Sequence, residues 1–181
     1  MSNLQTINIA NASPAIANSL AAVNAKLGSI PNMFLTLANT PVALNGYLQL
    51  SAATAEGNLN AKQREAIALA VGQENACGYC VAAHSVIGNM VGLSAAEITR
   101  ARAGKATTPR DIALIALAVS VTKARGHLTA AEVTSFKAQG LSDADILEVI
   151  TNVALNILTN YVNHVAATEI DFPAVDLRLA A

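Results

Sequence analysis

Tryptophan is absent, and only three Phe and three Tyr stand among 181 residues. So thin an aromatic supply offers few platforms for stacking on unpaired bases. Charge is scarce too: Asp, Glu, Lys and Arg make up 13% of the chain and nearly cancel, leaving a net charge of −1. The eleven Lys and Arg are scattered along the chain, so no phosphate-tracking surface is expected and nucleic acid is not expected as a partner. Long apolar runs are also lacking. The longest, such as Ile112 to Val119, fall far below the ~20 residues that a membrane-crossing helix needs, so no membrane is expected. The opening Met1-Ser2-Asn3-Leu4-Gln5-Thr6 has neither the basic patch nor the apolar stretch of a secretory signal, and a cytoplasmic location is expected. Two cysteines cannot build a disulfide framework. Set three apart in a chain without an export signal, they point to redox or metal chemistry.

Apolar residues, by contrast, make up 53% of the chain. With so little polar surface, part of the exterior is expected to be covered by another subunit, as a homo-oligomer. The length suits a single domain, 1–181. Apolar residues recur at three and four, as in Ile67, Ala70 and Val71, or Ile146, Val149, Ile150 and Val153, and Ala is abundant. Both features predict an all-α fold. Ser13-Pro14, Thr40-Pro41 and Thr108-Pro109 each set a capping hydroxyl before a first-turn proline. Ser94-Ala95-Ala96-Glu97 and Thr129-Ala130-Ala131-Glu132 fit the capping box. About eight helices with short connections are expected. From Asp171-Phe172-Pro173 onward the tail, 171–181, reads as an extension that wraps a neighbour or frays.

The reactive residue types gather between positions 61 and 90. One helix is expected from about Ala61 to Gln73 and a second from about Ala76 to Met90, with Asn75 as its cap. Spacings of three and four put Cys77, Cys80, His84 and Ile87 on one face, so the thiols can pair and the imidazole can reach the second one. An antiparallel hairpin would return Glu65 beside His84. This set suits peroxide reduction. A thiolate attacks the O–O bond, a base removes the thiol proton, and the departing alkoxide must be protonated. A second thiol then traps the sulfenic acid as a disulfide. Cys77, nearer the helix start, gains more from the helix dipole, but a base four residues from Cys80 is the larger effect, so Cys80 is expected to attack.

Glu65, then Cys77-Gly78-Tyr79-Cys80 twelve residues on, then His84 four residues later resemble the active-site pattern of the AhpD-like alkylhydroperoxidases of the carboxymuconolactone decarboxylase superfamily. The likeness extends over roughly residues 30 to 170, the expected core. The segments Thr159-Asn160-Tyr161-Val162-Asn163-His164 and Thr168-Glu169-Ile170-Asp171-Phe172-Pro173 resemble its peroxidase-related subgroup. The resemblance implies an all-helical AhpD-like fold, assembly as a homotrimer or hexamer, and a peroxide substrate reduced through the cysteine pair. It also implies that the second cysteine attacks while the first resolves and meets the reductant; a dithiol or a lipoyl- or thioredoxin-type reductant is expected, and no cofactor is. In the best-known branch a His stands just before the second cysteine, where this chain has Tyr79. The decarboxylase branch lacks the cysteine pair, which argues against lactone chemistry.

Other readings stand beside this one. Cys77, Cys80 and His84, with Glu65 or a neighbour's side chain, could hold structural zinc in a redox-sensing or metal-stabilised oligomer, although no metal site is expected. Tyr79 is expected to pack rather than to donate protons. His127 falls in a loop where exposure is the default. Asn152, Asn156, Asn160 and Asn163 or His164 trace a polar stripe at helical spacing. Such a stripe either closes a helix or subunit contact or lines the pocket, so Asn160, His164 and Tyr79 are candidate pocket residues.

Overall fold

The computed structural model describes residues 2–179, and these form nine α-helices and no strand. They are α1 (Pro14–Leu27), α2 (Asn32–Leu37), α3 (Pro41–Ala55), α4 (Ala61–Glu74), α5 (Gly78–Met90), α6 (Ala95–Arg102), α7 (Pro109–Ala124), α8 (Ala130–Ala138) and α9 (Asp143–Ala166). The expected caps are in place. Ser13, Thr40 and Thr108 accept from first-turn amides ahead of their prolines, and Ser94 and Thr129 close reciprocal boxes with Glu97 and Glu132. The helix beyond the expected eight is α2. It has six residues and no side-chain cap, and Met33, Phe34 and Leu37 hold it by burial.

The central helix is α4, which packs against α5, α6, α7 and α9. From Ile67 to Gly72 every residue of α4 is buried, so this half is apolar all round while its first half carries Arg64 and Glu65. One core gathers Ile67 and Val71 with Leu114, Leu117, Val149 and Val153. A second gathers Leu20, Phe34, Leu37 and Leu44 around Cys77, Tyr79 and Cys80, so the cysteine pair is built into a packed interior. Among the described residues no helix is long and apolar enough to cross a membrane.

The starts of α7 and α9 are tied by Arg110 and Asp145, 2.5 Å apart. The Arg110 guanidinium, with the Ser142 hydroxyl and amide, holds the Asp145 carboxyl at about 2, below its ordinary 3.8. A carboxyl depressed in the folded state stabilises the fold above its unfolded pKa, and that contribution is lost as pH falls from about 4 through about 2. With Arg110 44% exposed, solvent screens the pair and its size is on the order of 1 kcal/mol. Asp145→Asn is therefore expected to lower unfolding free energy at pH 7 by about that amount and to flatten the acid limb. Urea titrations at pH 7 and pH 3 measure both effects, and an unchanged acid limb would contradict the assignment.

Candidate active site

The turn between α4 and α5 places the cysteines. Asn75 closes α4, and Ala76 then enters the left-handed region at φ 52°. The Ala76 amide donates to the Gln73 carbonyl and the Cys77 amide to the Gly72 carbonyl at 2.8 Å, the paired bonds of a Schellman ending. Glycine usually fills that left-handed position; alanine holds it here at a conformational cost. The cap of α5 is consequently Cys77, not the expected Asn75, and its Sγ accepts from the Cys80 amide at 3.3 Å. A Cβ on Gly72 would lie 3.4 Å from the Cys80 Cβ, so α4 and α5 approach closely under the motif.

Cys77 and Cys80 are joined as a disulfide. Bonded to each other, the two sulfurs leave no thiolate for a metal. Among the described residues no group of three or more His, Cys, Asp and Glu is arranged to hold one. The sulfurs are placed unequally. Cys77 is 0% exposed, whereas Cys80, 3% exposed, lines a cavity of about 370 Å³ whose walls include Val23, Met33, Phe34 and Leu48.

Two more residues of the motif line this cavity. Glu65 and His84 meet across the α4–α5 hairpin with His84 Nδ1 2.7 Å from Glu65 Oε2, both about one-fifth exposed. A carboxylate only accepts, so Nδ1 carries a proton, and in the neutral ring Nε2 is the nitrogen left with a lone pair. His84 stands one turn beyond Cys80 on α5. Burial, with the Glu65 charge adding to it, pushes the Tyr47 phenol at the cavity wall up to about 12, so it stays protonated. Arg64, also at the wall, bonds the Leu59 carbonyl through Nη1.

Tyr79 faces the cavity but is tied down at its hydroxyl, which accepts from the Met33 amide at 3.1 Å and donates to Asp171 Oδ1 at 2.8 Å. Burial pushes its phenol far up, which makes it a packing and anchoring group, not a titrating one. Its anchor lies in the tail. Asp171 Oδ2 accepts from the Asn32 amide, Phe172 meets Tyr79 edge to face, and the Leu177 carbonyl accepts from Gln73. A Cβ on Gly78 would touch Ile170 and Leu177. The described part of the tail, through Leu179, thus straps the Cys-x-x-Cys turn of its own chain. The expected fraying does not describe these residues; the last two residues of 171–181 lie outside the described residues.

The polar stripe of α9 turns inward. Asn152 and Asn156 donate to carbonyls four residues back, at 2.8 Å each, and line the cavity floor. Asn160 is fully buried beyond the cavity wall, its Oδ1 accepting from Asn75 Nδ2 at 2.8 Å. His164 is exposed and does not line the cavity. Its neighbour Asn163 holds the position by the motif, donating from Nδ2 to Cys80 Sγ at 3.4 Å. A signal for it existed, since Asn163 follows Asn152, Asn156 and Asn160 at spacings of four and three.

The nine-helix layout around a Cys-x-x-Cys turn defines a helical protein of AhpD-like fold. Residues 41–109 match the model of the Carboxymuconolactone decarboxylase family. No curated protein matches the sequence. The fold is similar to that of an alkylhydroperoxidase AhpD core, an uncharacterized peroxidase-related protein from Ralstonia eutropha JMP134, with a TM-score of 0.85 and 24% identity over 94% of this chain and 92% of that one. It is also similar to the debrominase Bmp8 in complex with 2,3,4-tribromopyrrole, with a TM-score of 0.80 and 18% identity over 94% and 92% of the two chains. A peroxidase-related protein from Silicibacter sp. TM1040 gives 0.79 and 20% over 93% and 94%.

Proposed function

We propose that the protein is a thiol peroxidase that reduces organic hydroperoxides through Cys77 and Cys80. The observation that carries this reading is the placement of Cys80 at a mostly apolar cavity beside the Glu65–His84 pair, with Cys77 buried behind it. His84 Nε2 takes the Cys80 thiol proton and Glu65 holds the ring. The thiolate attacks the outer peroxide oxygen, the O–O bond breaks, and the alkoxide takes the proton from His84 as alcohol. Cys77 then displaces hydroxide from the sulfenic acid, which leaves as water and forms the disulfide. An external dithiol of lipoyl or thioredoxin type supplies two electrons to restore both thiols. The apolar walls favour an alkyl or aryl hydroperoxide over hydrogen peroxide.

Peroxide consumption assayed with dithiothreitol, then with lipoyl and thioredoxin-type donors, tests the proposal. Turnover of cumene hydroperoxide in step with donor oxidation is expected. Donor oxidation without peroxide loss would contradict it. The fold shared with a debrominase favours a second reading, reductive removal of halogen from an aromatic ring by the same dithiol. Halide release under identical conditions would favour that reading.

The reading extends to assembly as a homo-oligomer, with a trimer or hexamer favoured by the family resemblance. It is supported by the outward face of α9, where Leu147, Ile150, Leu158, Tyr161 and Val165 are exposed at helical spacing. Light scattering at micromolar concentration is expected to give a multiple of 18.5 kDa. A monomer would remove the claim.

A further inference from the structure

Four asparagines of α9 are buried, and three have at least one ordinary partner, although Asn160 Nδ2, like Asn163 Oδ1, has none. Asn152 and Asn156 donate to carbonyls four residues back, and Asn160 accepts from Asn75. An asparagine one turn further on could do as Asn156 does and bond the carbonyl of Thr159. Asn163 instead directs Nδ2 at Cys80 Sγ, 3.4 Å away, and leaves its buried Oδ1 without a partner. What separates Asn163 from the others is therefore the long-range contact of its Nδ2 with the Cys80 sulfur, made in place of a bond to its own helix. Sulfur is a weak acceptor as a thioether or disulfide and a strong one as a thiolate, where the bond becomes charge-assisted. The contact therefore gains most once the disulfide is reduced.

We infer that Asn163 is a catalytic residue whose side-chain amide stabilises the Cys80 thiolate and holds that sulfur toward the cavity. This rests on the reading of Cys80 as the reacting thiolate. The charged and titratable groups lining the same cavity are Lys26 from α1, Tyr47 from α3, Arg64 and Glu65 from α4, and Tyr79 and His84 from α5. Among the described residues, Asn163 is the side chain whose hydrogen bond reaches the Cys80 sulfur. The helix-start amide of Cys80 serves the other sulfur, that of Cys77. The two thiolates thus have separate donors.

The test is the pH dependence of Cys80 alkylation in reduced protein carrying Cys77→Ser, followed by peptide mass spectrometry. Adding Asn163→Ala is expected to raise the Cys80 pKa by about one unit and to slow alkylation near pH 7 about ten-fold. Asn163→Asp keeps the side chain's shape and sets a carboxylate against the thiolate, so the pKa is expected to rise further. This second variant decides the matter if the alanine variant does not fold. A wild-type alkylation profile in a folded variant of either kind overturns the inference. Because alkylation needs no peroxide, a shifted profile in a protein that consumes no peroxide sustains the role of Asn163 and removes the peroxidase reading instead.

Discussion

Cys80→Ser is expected to reduce peroxide consumption to the uncatalysed background, while Cys77→Ser still reduces one equivalent and then stops as a sulfenic acid at Cys80. The asymmetry follows from placement. Cys80 lines the cavity, with His84 one turn on and the Asn163 amide at its sulfur, whereas Cys77 is shut off at the start of α5 beneath the tail. Cys77 has its own source of thiolate stabilisation, the Cys80 amide at the helix start. Such a contribution is worth about 0.3–1 kcal/mol near a surface and up to about 2 kcal/mol where it is shielded from solvent. A positioned base contributes about 10²- to 10⁴-fold, so the cysteine with the base attacks first. Intact-protein mass spectrometry with a sulfenic-acid trap separates the two variants. Rapid trapping at Cys77 in the Cys80→Ser protein would reverse the assignment.

His84→Ala is expected to slow peroxide reduction by about 10²- to 10⁴-fold, the range for losing a positioned base. Glu65→Gln should cost less, roughly 10- to 100-fold, because it removes the group that fixes the ring and its tautomer and not the base itself. The 2.7 Å contact between Glu65 and His84 makes this order specific. A glutamine can donate to Nδ1 as readily as it can accept, so the proton is no longer fixed there and Nε2 is no longer kept as the basic nitrogen. Alkylation rate against pH measures the effect, with helix content checked by circular dichroism. An unchanged profile in Glu65→Gln would mean that the pair is structural.

Much of this arrangement is legible in the sequence because it follows local rules. Capping hydroxyls and prolines mark helix starts that side-chain chemistry alone determines. The thirteen-residue interval between Gly78 and Met90 carries Cys80 and His84 at a spacing that a helix turns into one face. Glu65 meets His84 because α4 and α5 are consecutive and joined by a tight turn. What was not legible depends on tertiary contact. Helix α2 has no capping side chain, and its residues become helical by packing Phe34 and Leu37 into the second core. The cap of α5 falls on Cys77 because Ala76 takes a left-handed conformation that a sequence reserves for glycine.

The α9 stripe shows the sharpest limit. His164 and Asn163 differ by one position, which on a helix is a rotation of about 100°. That rotation puts one in solvent and the other against the Cys80 sulfur. Tyr79 was readable as a packing residue, but its partners Asp171 and Phe172 lie ninety residues on in a segment with no periodic pattern. Nothing local in that tail announces that it returns to its own active-site turn.

A single-turnover reaction tests the central claim most directly. Protein reduced and freed of donor under anaerobic conditions is mixed with one equivalent of cumene hydroperoxide, and thiols, disulfide and alcohol are counted together. The account predicts one cumyl alcohol formed, two thiols lost and one Cys77–Cys80 disulfide gained per chain, within the same time course. Retention of both thiols with the peroxide intact would contradict it.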